Sequence, residues 1–124
     1  MEDLKAYFAE KKGMGVLSTS GADGTVNAAV FSRPHCMPDG TLAFIMPERK
    51  THRNLLENPR AHYLFREDGP GYRGKRISLR KMKEEKDSDL LYELRKREGG
   101  PDKGKPLHLV FFFVEAVLPL IGAL

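Results

Sequence analysis

Cysteine occurs once in the 124 residues, at Cys36. One thiol excludes an intrachain disulfide framework and a cysteine-built zinc finger, and it fits a reducing compartment such as the cytoplasm. The opening residues Met1–Gly13 lack the charged, then apolar, then small pattern of a secretory leader, so none is expected. No P-loop or dinucleotide-binding glycine fingerprint appears. No serine stands in a Gly-x-Ser-x-Gly context, and no internal repeat is visible. The four histidines, at 35, 52, 62 and 108, show no pairing at a helical or strand spacing, so a metal site is not expected. His62 and His108 read as structural or surface groups in strands. His35 beside Cys36 lacks the third group that nucleophilic or metal chemistry would need. A strong charge of one sign is also missing: 21 Lys and Arg face 17 Asp and Glu, for a net +4. That mild excess fits a solvated surface or a site for an anion, whether a phosphate, a cofactor or nucleic acid.

What is present is the material of one soluble domain. Hydrophobic residues make up 40% and charged residues 31%, with seven Phe and four Tyr to bury. A chain of this length buries roughly 65% of its unfolded surface, enough for a proper core. The longest apolar stretch, 107–124, is near the lower limit for a membrane span. Glu115 near its middle, Pro119 and Gly122 all disfavour a membrane helix. The Val110–Val114 run is β-branched and aromatic, so the stretch reads as a strand over Leu107–Val117. Its lack of alternation predicts cover on both faces, the second by a helix or by another subunit. No membrane association is expected.

Periodicity predicts a helix over 2–12 with Leu4, Tyr7 and Phe8 on one face, stopped by Gly13. Strands follow at Val16–Ser20 and Thr25–Ser32, joined by the Gly21–Gly24 turn with its Asp-Gly pair. Arg33–Gly40 reads as a connector and Thr41–Met46 as a third strand ended by Pro47. A helix over 49–57, with Leu55 and Leu56 as its apolar side, stops at Asn58-Pro59. Arg60–Arg66 is a fourth strand, 67–74 a glycine-rich loop, and Lys75–Lys83 a fifth strand with Ile77 and Leu79 on one face. A charged helix is expected over 84–98 with Leu90, Leu91 and Leu94 inward, ended by Gly99-Gly100-Pro101. About six strands and three short helices describe a mainly β domain, a small barrel with helices at its rim.

The most informative segment is Pro47 through Pro59. A strand ends at a proline, and Arg49, Lys50 and Thr51 then open a helix. Free N–H groups, two cations and a hydroxyl at a helix start can hold an anion, though a solvated basic helix would look the same. The order of segments carries a resemblance: Gly15-Val-Leu-Ser-Thr-Ser-Gly-Ala-Asp-Gly24, the small-residue strand Val26-Asn27-Ala28-Ala29-Val30, Phe44-Ile-Met-Pro47, and Arg49 to Pro59 with its closing Asn-Pro. It resembles the FMN-binding split barrel of the pyridoxamine 5′-phosphate oxidase-like family, over about residues 3–118, and most of all its short stand-alone members.

The resemblance implies a six-stranded antiparallel split β-barrel of Greek-key type. It implies a homodimer with FMN at the subunit interface and flavin-dependent electron or hydride transfer. Lys50 and Thr51 would meet the ribityl phosphate, with Arg49 close by and Asn54 one turn on. Asn27, Ala28, Ala29 and Val30, with Met46 and Pro47, would run beside the flavin ring. The loop carrying Gly71 and Tyr72 would close over the cofactor. No cation follows Glu115, so the substrate-phosphate site of a true pyridoxamine phosphate oxidase is not expected. No catalytic acid or base is singled out, and the substrate or redox partner is left open. Relatives on this fold bind deazaflavin or haem instead, and a carrier of flavin without turnover is a further reading. A small basic barrel for single-stranded nucleic acid is the alternative from another class. Phe44, Phe65, Phe111 and Phe113 alternate as core residues would, which weighs against it.

Overall fold

A computed structural model describes residues 3–95 and 105–122. The chain begins with α1 (Leu4–Glu10), capped by the Asp3 side chain, which accepts from the Ala6 N–H at 3.1 Å. Seven strands follow, one more than the sequence predicts. They are β1 (Gly13–Ser20), β2 (Val26–Phe31), β3 (His35–Cys36), β4 (Leu42–Pro47), β5 (Arg60–Glu67), β6 (Gly74–Lys86) and β7 (Leu107–Pro119). The extra one, β3, is a two-residue strand in what reads as a connector. Helix α2 (Lys50–Glu57) lies between β4 and β5, and α3 (Asp89–Arg95) between β6 and β7. All strands form one antiparallel sheet in the order β2-β1-β5-β6-β7-β4-β3.

The sheet curls so that strands far apart in that order share a core. Leu17 of β1, Tyr63 and Phe65 of β5, Ile77 and Leu79 of β6, Phe112 of β7 and Phe44 of β4 are all buried in it. The Phe44 ring lies 5.0 Å from Tyr63, 5.8 Å from Phe112 and 6.0 Å from Phe31 of β2. Rings thus bridge β2 and β4, which share no ladder. The barrel is split along that line, and α1 closes one end with Phe8 edge-on to Phe65.

Two glycines in β1 make the curl possible. The sequence reads Gly13 as a helix stop, but α1 has already ended, and Gly13 and Gly15 are both strand residues. A Cβ at Gly13 would strike the Arg66 carbonyl, and one at Gly15 would strike the ring and hydroxyl of Tyr63. Tyr63 lies across β1 and donates towards the carbonyls of Phe31 and Ser32, each at 3.1 Å. Burial and the unlike charge of Arg33 oppose each other at that hydroxyl; burial wins and holds its pKa far above the usual tyrosine range.

The last strand is covered on both faces along its first half. Leu107 through Phe112 are buried. The second face is met by α3, whose Leu91 packs with Leu107, Leu109 and Phe111, with Leu90 and Leu94 alongside. From Phe113 onward the cover from α3 is lost, while Val114 and Val117 still pack on the main core, and Phe113 is an exposed residue under the Arg80 guanidinium rather than a core one. The charged helix begins later than its composition suggests. Glu84, Glu85 and Lys86 extend β6, paired with Val110, Leu109 and His108. Tertiary pairing overrides their helix propensity. The Ser88 hydroxyl then caps α3 by accepting from the Leu91 N–H at 3.1 Å. The end of that helix and its Gly99–Pro101 stop lie outside the described residues. No helix among the described residues is long and apolar enough to cross a membrane.

Candidate functional site

The split between β2 and β4 holds a cleft of about 450 Å³, within the range of small-molecule sites (about 300–1,000 Å³). One wall is β2, from Asn27 to Phe31. The other is β4, from Phe44 to Pro47, continued by Arg49, Lys50 and Thr51. Because β2 is the edge of the sheet, its outer row of N–H and C=O groups has no strand partner. Ala28 and Ala29 keep side chains small there, so a flat ligand can approach the backbone.

The far end of the cleft is the start of α2. Arg49 is the N-cap, in an extended conformation, and no side chain caps the helix. Ser, Thr, Asp or Asn is usual at this position, accepting from the first free N–H groups. Here those donors keep no side-chain acceptor, and Arg49 and Lys50 add exposed cations beside them. Thr51 is buried, and its hydroxyl lies 3.5 Å from the Asn27 amide nitrogen, joining the helix start to the β2 wall. Backbone donors, a positive dipole end, two cations and a hydroxyl converge on one place.

Nine of the twelve residues singled out from sequence line this cleft: Asn27, Ala28, Ala29, Val30, Met46, Pro47, Arg49, Lys50 and Thr51. Three do not. Asn54 is buried under α2, where its amide donates to the Thr19 hydroxyl at 3.0 Å and fastens the helix to β1. Gly71 and Tyr72 sit in the loop between β5 and β6, where Arg66 donates to the Gly71 carbonyl and lies 5.6 Å from the Tyr72 ring centroid. Tyr72 is 72% exposed there. Arg33 and His35 line the cleft without having been singled out. The Arg33 guanidinium is already engaged, donating to the carbonyls of Phe8 and Lys11 at 2.6 and 2.9 Å. Its signal was its place at the end of the small-residue strand.

No protein-family model matches the chain, and no curated protein matches it. Solved structures do. An FMN-binding protein from Syntrophomonas wolfei superposes with a TM-score of 0.74 at 22% identity, covering 94% of this chain and 82% of that one. A candidate pyridoxamine 5′-phosphate oxidase from Listeria innocua gives 0.68 at 19%, covering 95% and 96%. The fold is the pyridoxamine 5′-phosphate oxidase-like split barrel. HutZ, the heme storage protein of Vibrio cholerae, shares it too, with 0.70 at 16% and coverage of 94% and 92%. Proteins of this fold thus include an FMN-binding one and a heme storage one. In this chain the cleft ends at the basic, uncapped start of α2.

Proposed function

We propose that the cleft binds FMN and that the protein is a flavin-dependent redox protein acting as a homodimer. The observation that carries this reading is the pairing of an unpartnered β2 edge with the uncapped, basic start of α2. A flavin mononucleotide has matching parts: a planar ring with a hydrogen-bonding rim and a dianionic tail. The phosphate would lie against Arg49, Lys50 and Thr51. The ring would lie along Asn27–Val30, with Met46 and Pro47 behind it. When bound, the flavin supplies the redox chemistry, and the protein sets its orientation and access. The donor or substrate is a small molecule or a redox partner of unassigned structure, and a reducing cytoplasm suits the single free thiol.

The homodimer is supported by a different surface from the one the sequence pointed to, since α3 covers the first half of β7. On the outer face of β2, β1 and β5, Val30, Val16 and Leu64 stand in one cross-strand row, and Ala28, Ser18 and His62 in the next. Val26 is 76% exposed there, and Met14, Val30 and Leu64 are also exposed. No helix among the described residues lies over this row of small and apolar residues, and a second copy would bury it. The cleft opens beside this face, so a partner would extend its wall.

The test separates phosphate from ring. Lys50→Ala should weaken FMN by about 10- to 150-fold, the equivalent of roughly 1.5–3 kcal/mol for a charge-assisted hydrogen bond. Riboflavin, which lacks the phosphate, should bind nearly as before. Titrations followed by flavin fluorescence read both. Equal losses for the two ligands would show that Lys50 supports the fold and not the phosphate, and failure of either to bind wild type would end the flavin reading.

A further inference from the structure

Outside the cleft, three side chains from three elements meet in the body of the protein. His52 comes from α2, Glu84 from β6 and His108 from β7, and their ligand atoms lie within 4.8 Å of one another. Both histidines are buried, His108 to 5% exposure. His52 Nε2 is 2.8 Å from Glu84 Oε2, and His108 Nδ1 is 3.0 Å from the same oxygen. Lys81 holds the other oxygen, Oε1, which leaves Oε2 to the two imidazoles.

We propose that His52 Nε2, Glu84 Oε2 and His108 Nδ1 bind a divalent transition-metal ion of the zinc class. The argument turns on His108. Its Nε2 lies 3.0 Å from Glu48 Oε1, a carboxylate that can only accept, so Nε2 carries the proton. In the neutral ring Nδ1 is then a bare lone pair. It is buried and makes no hydrogen bond, because it lies close to Glu84 Oε2 without being aligned on it. Two acceptors held side by side in this way repel unless a cation lies between them. His108 Nδ1 and Glu84 Oε2 lie beside one another in this way, whereas His52 Nε2 donates to Oε2 and would release that proton to bind an ion. Ligands about 2.0–2.2 Å from zinc stand roughly 3.0–3.6 Å apart; the two contacts to Glu84 Oε2, at 2.8 and 3.0 Å, are at or just below that spacing, and all three atoms lie within 4.8 Å, so the side chains would open slightly around an ion.

The outer partners fit as well. A metal-bound histidine usually donates its second ring N–H to a carboxylate, which fixes tautomer and orientation, and Glu48 stands in that place. Two imidazoles and one carboxylate suit zinc, cobalt or nickel better than magnesium or calcium, which favour all-oxygen sites. The rings are stacked, with centroids 3.8 Å apart and planes 16° from parallel. Coordination would turn the two planes towards the ion through their side-chain torsions. A bound ion would tie α2, whose first residues form the cleft end, to β6 and β7. The site does not depend on the identity of the cleft's ligand.

The test uses the full-length protein, freed of metal with a chelator and titrated with Zn²⁺ by calorimetry and with Co²⁺ by visible absorption. We expect one ion per chain and the d–d bands of a low-coordinate Co²⁺ site. Glu48→Gln alters only the orienting carboxylate and should weaken binding by about 10- to 100-fold. Glu84→Gln replaces a charged ligand by a neutral amide and should weaken it at least as much as loss of an outer partner, about 10- to 100-fold. Absence of saturable binding at one ion per chain would overturn the proposal, and so would wild-type affinity in Glu48→Gln and Glu84→Gln. Glu48 is half-exposed, so its variant decides the matter even if Glu84→Gln does not fold.

Discussion

Gly15→Ala is the sharpest probe of how the barrel is built. A Cβ placed there comes within 2.6 Å of Tyr63 Cε1 and closer still to Cζ and the hydroxyl oxygen, where ordinary contact is about 3.5–4.0 Å. Tyr63 is fully buried, so its ring cannot swing into solvent. Overpacking of this kind costs about 1–3 kcal/mol. If the ring shifts, the hydroxyl also leaves the carbonyls of Phe31 and Ser32, and an unsatisfied buried group adds about 1–3 kcal/mol. Stiffening the unfolded chain returns only about 0.4–1 kcal/mol. The net expectation is a loss of about 2–5 kcal/mol, out of the 5–15 kcal/mol typical of a domain. Urea unfolding followed by circular dichroism measures it. A loss under about 0.5 kcal/mol, the usual bound for a neutral surface change, would refute the packing argument. Tyr63→Phe should not rescue the variant, because Cζ and Cε1 remain in the way. Rescue by phenylalanine would place the conflict at the hydroxyl alone.

Two other expectations concern groups away from the cleft. Burial, with Asp3 adding to it, pushes the Cys36 thiol above its ordinary pKa, so alkylation by iodoacetamide at mildly alkaline pH should be severalfold slower in the native protein than in urea; equal rates would refute it. Burial, then the Arg76 charge, lowers the His62 pKa from its usual 6.5. The neutral ring therefore favours the folded state above about pH 6.5, and this contribution is lost as pH falls through the lower native value. Urea unfolding should show stability falling as pH drops below about 6.5, with the fall reduced in His62→Gln, and sedimentation equilibrium should show the proposed dimer at neutral pH. A monomer at neutral pH would remove the dimer reading.

The cleft walls were legible because each is marked locally. Asp23-Gly24 fixes the hairpin that presents β2: Asp23 accepts from the Thr25 N–H at 2.9 Å, and Gly24 takes a positive φ of 86°. Pro47 and Asn58-Pro59 bracket α2. Which way α2 faces was not legible. Leu55 and Leu56 look like its apolar side, yet Leu56 is 62% exposed, and the buried face is Thr51, His52, Asn54 and Leu55. At about 100° per residue, Leu56 falls outside the arc that Thr51, His52, Asn54 and Leu55 present to the sheet. The polar residues earn their burial through partners distant in sequence: Thr19 for Asn54, Glu84 for His52. The His52, Glu84 and His108 cluster was hidden for the same reason. No local spacing joins positions on a helix and on two separate strands; only the ladder of β6 with β7 and the docking of α2 bring them together.

The same reasoning explains why the cleft falls where the barrel fails to close. A sheet edge leaves backbone groups that need a partner, and a closed barrel would supply it by pairing β2 with β4. Among the described residues those strands share no ladder, and the Phe31 and Phe44 rings bridge them. The α2 start adds a second set of unpaired donors at the same gap. A serine or aspartate at the N-cap would satisfy some of them and contribute about 1 kcal/mol to the helix. With Arg49 there instead, α2 forgoes that stabilisation and keeps its donors open beside two cations. An eight-residue helix gains little from propensity alone, so it leans on the buried Asn54 and Leu55 to stay in place. The free helix start and the polar buried face are then two sides of one arrangement: the fold holds α2 from beneath, through Thr19 and β1, so that its uncapped end can be left for an anion.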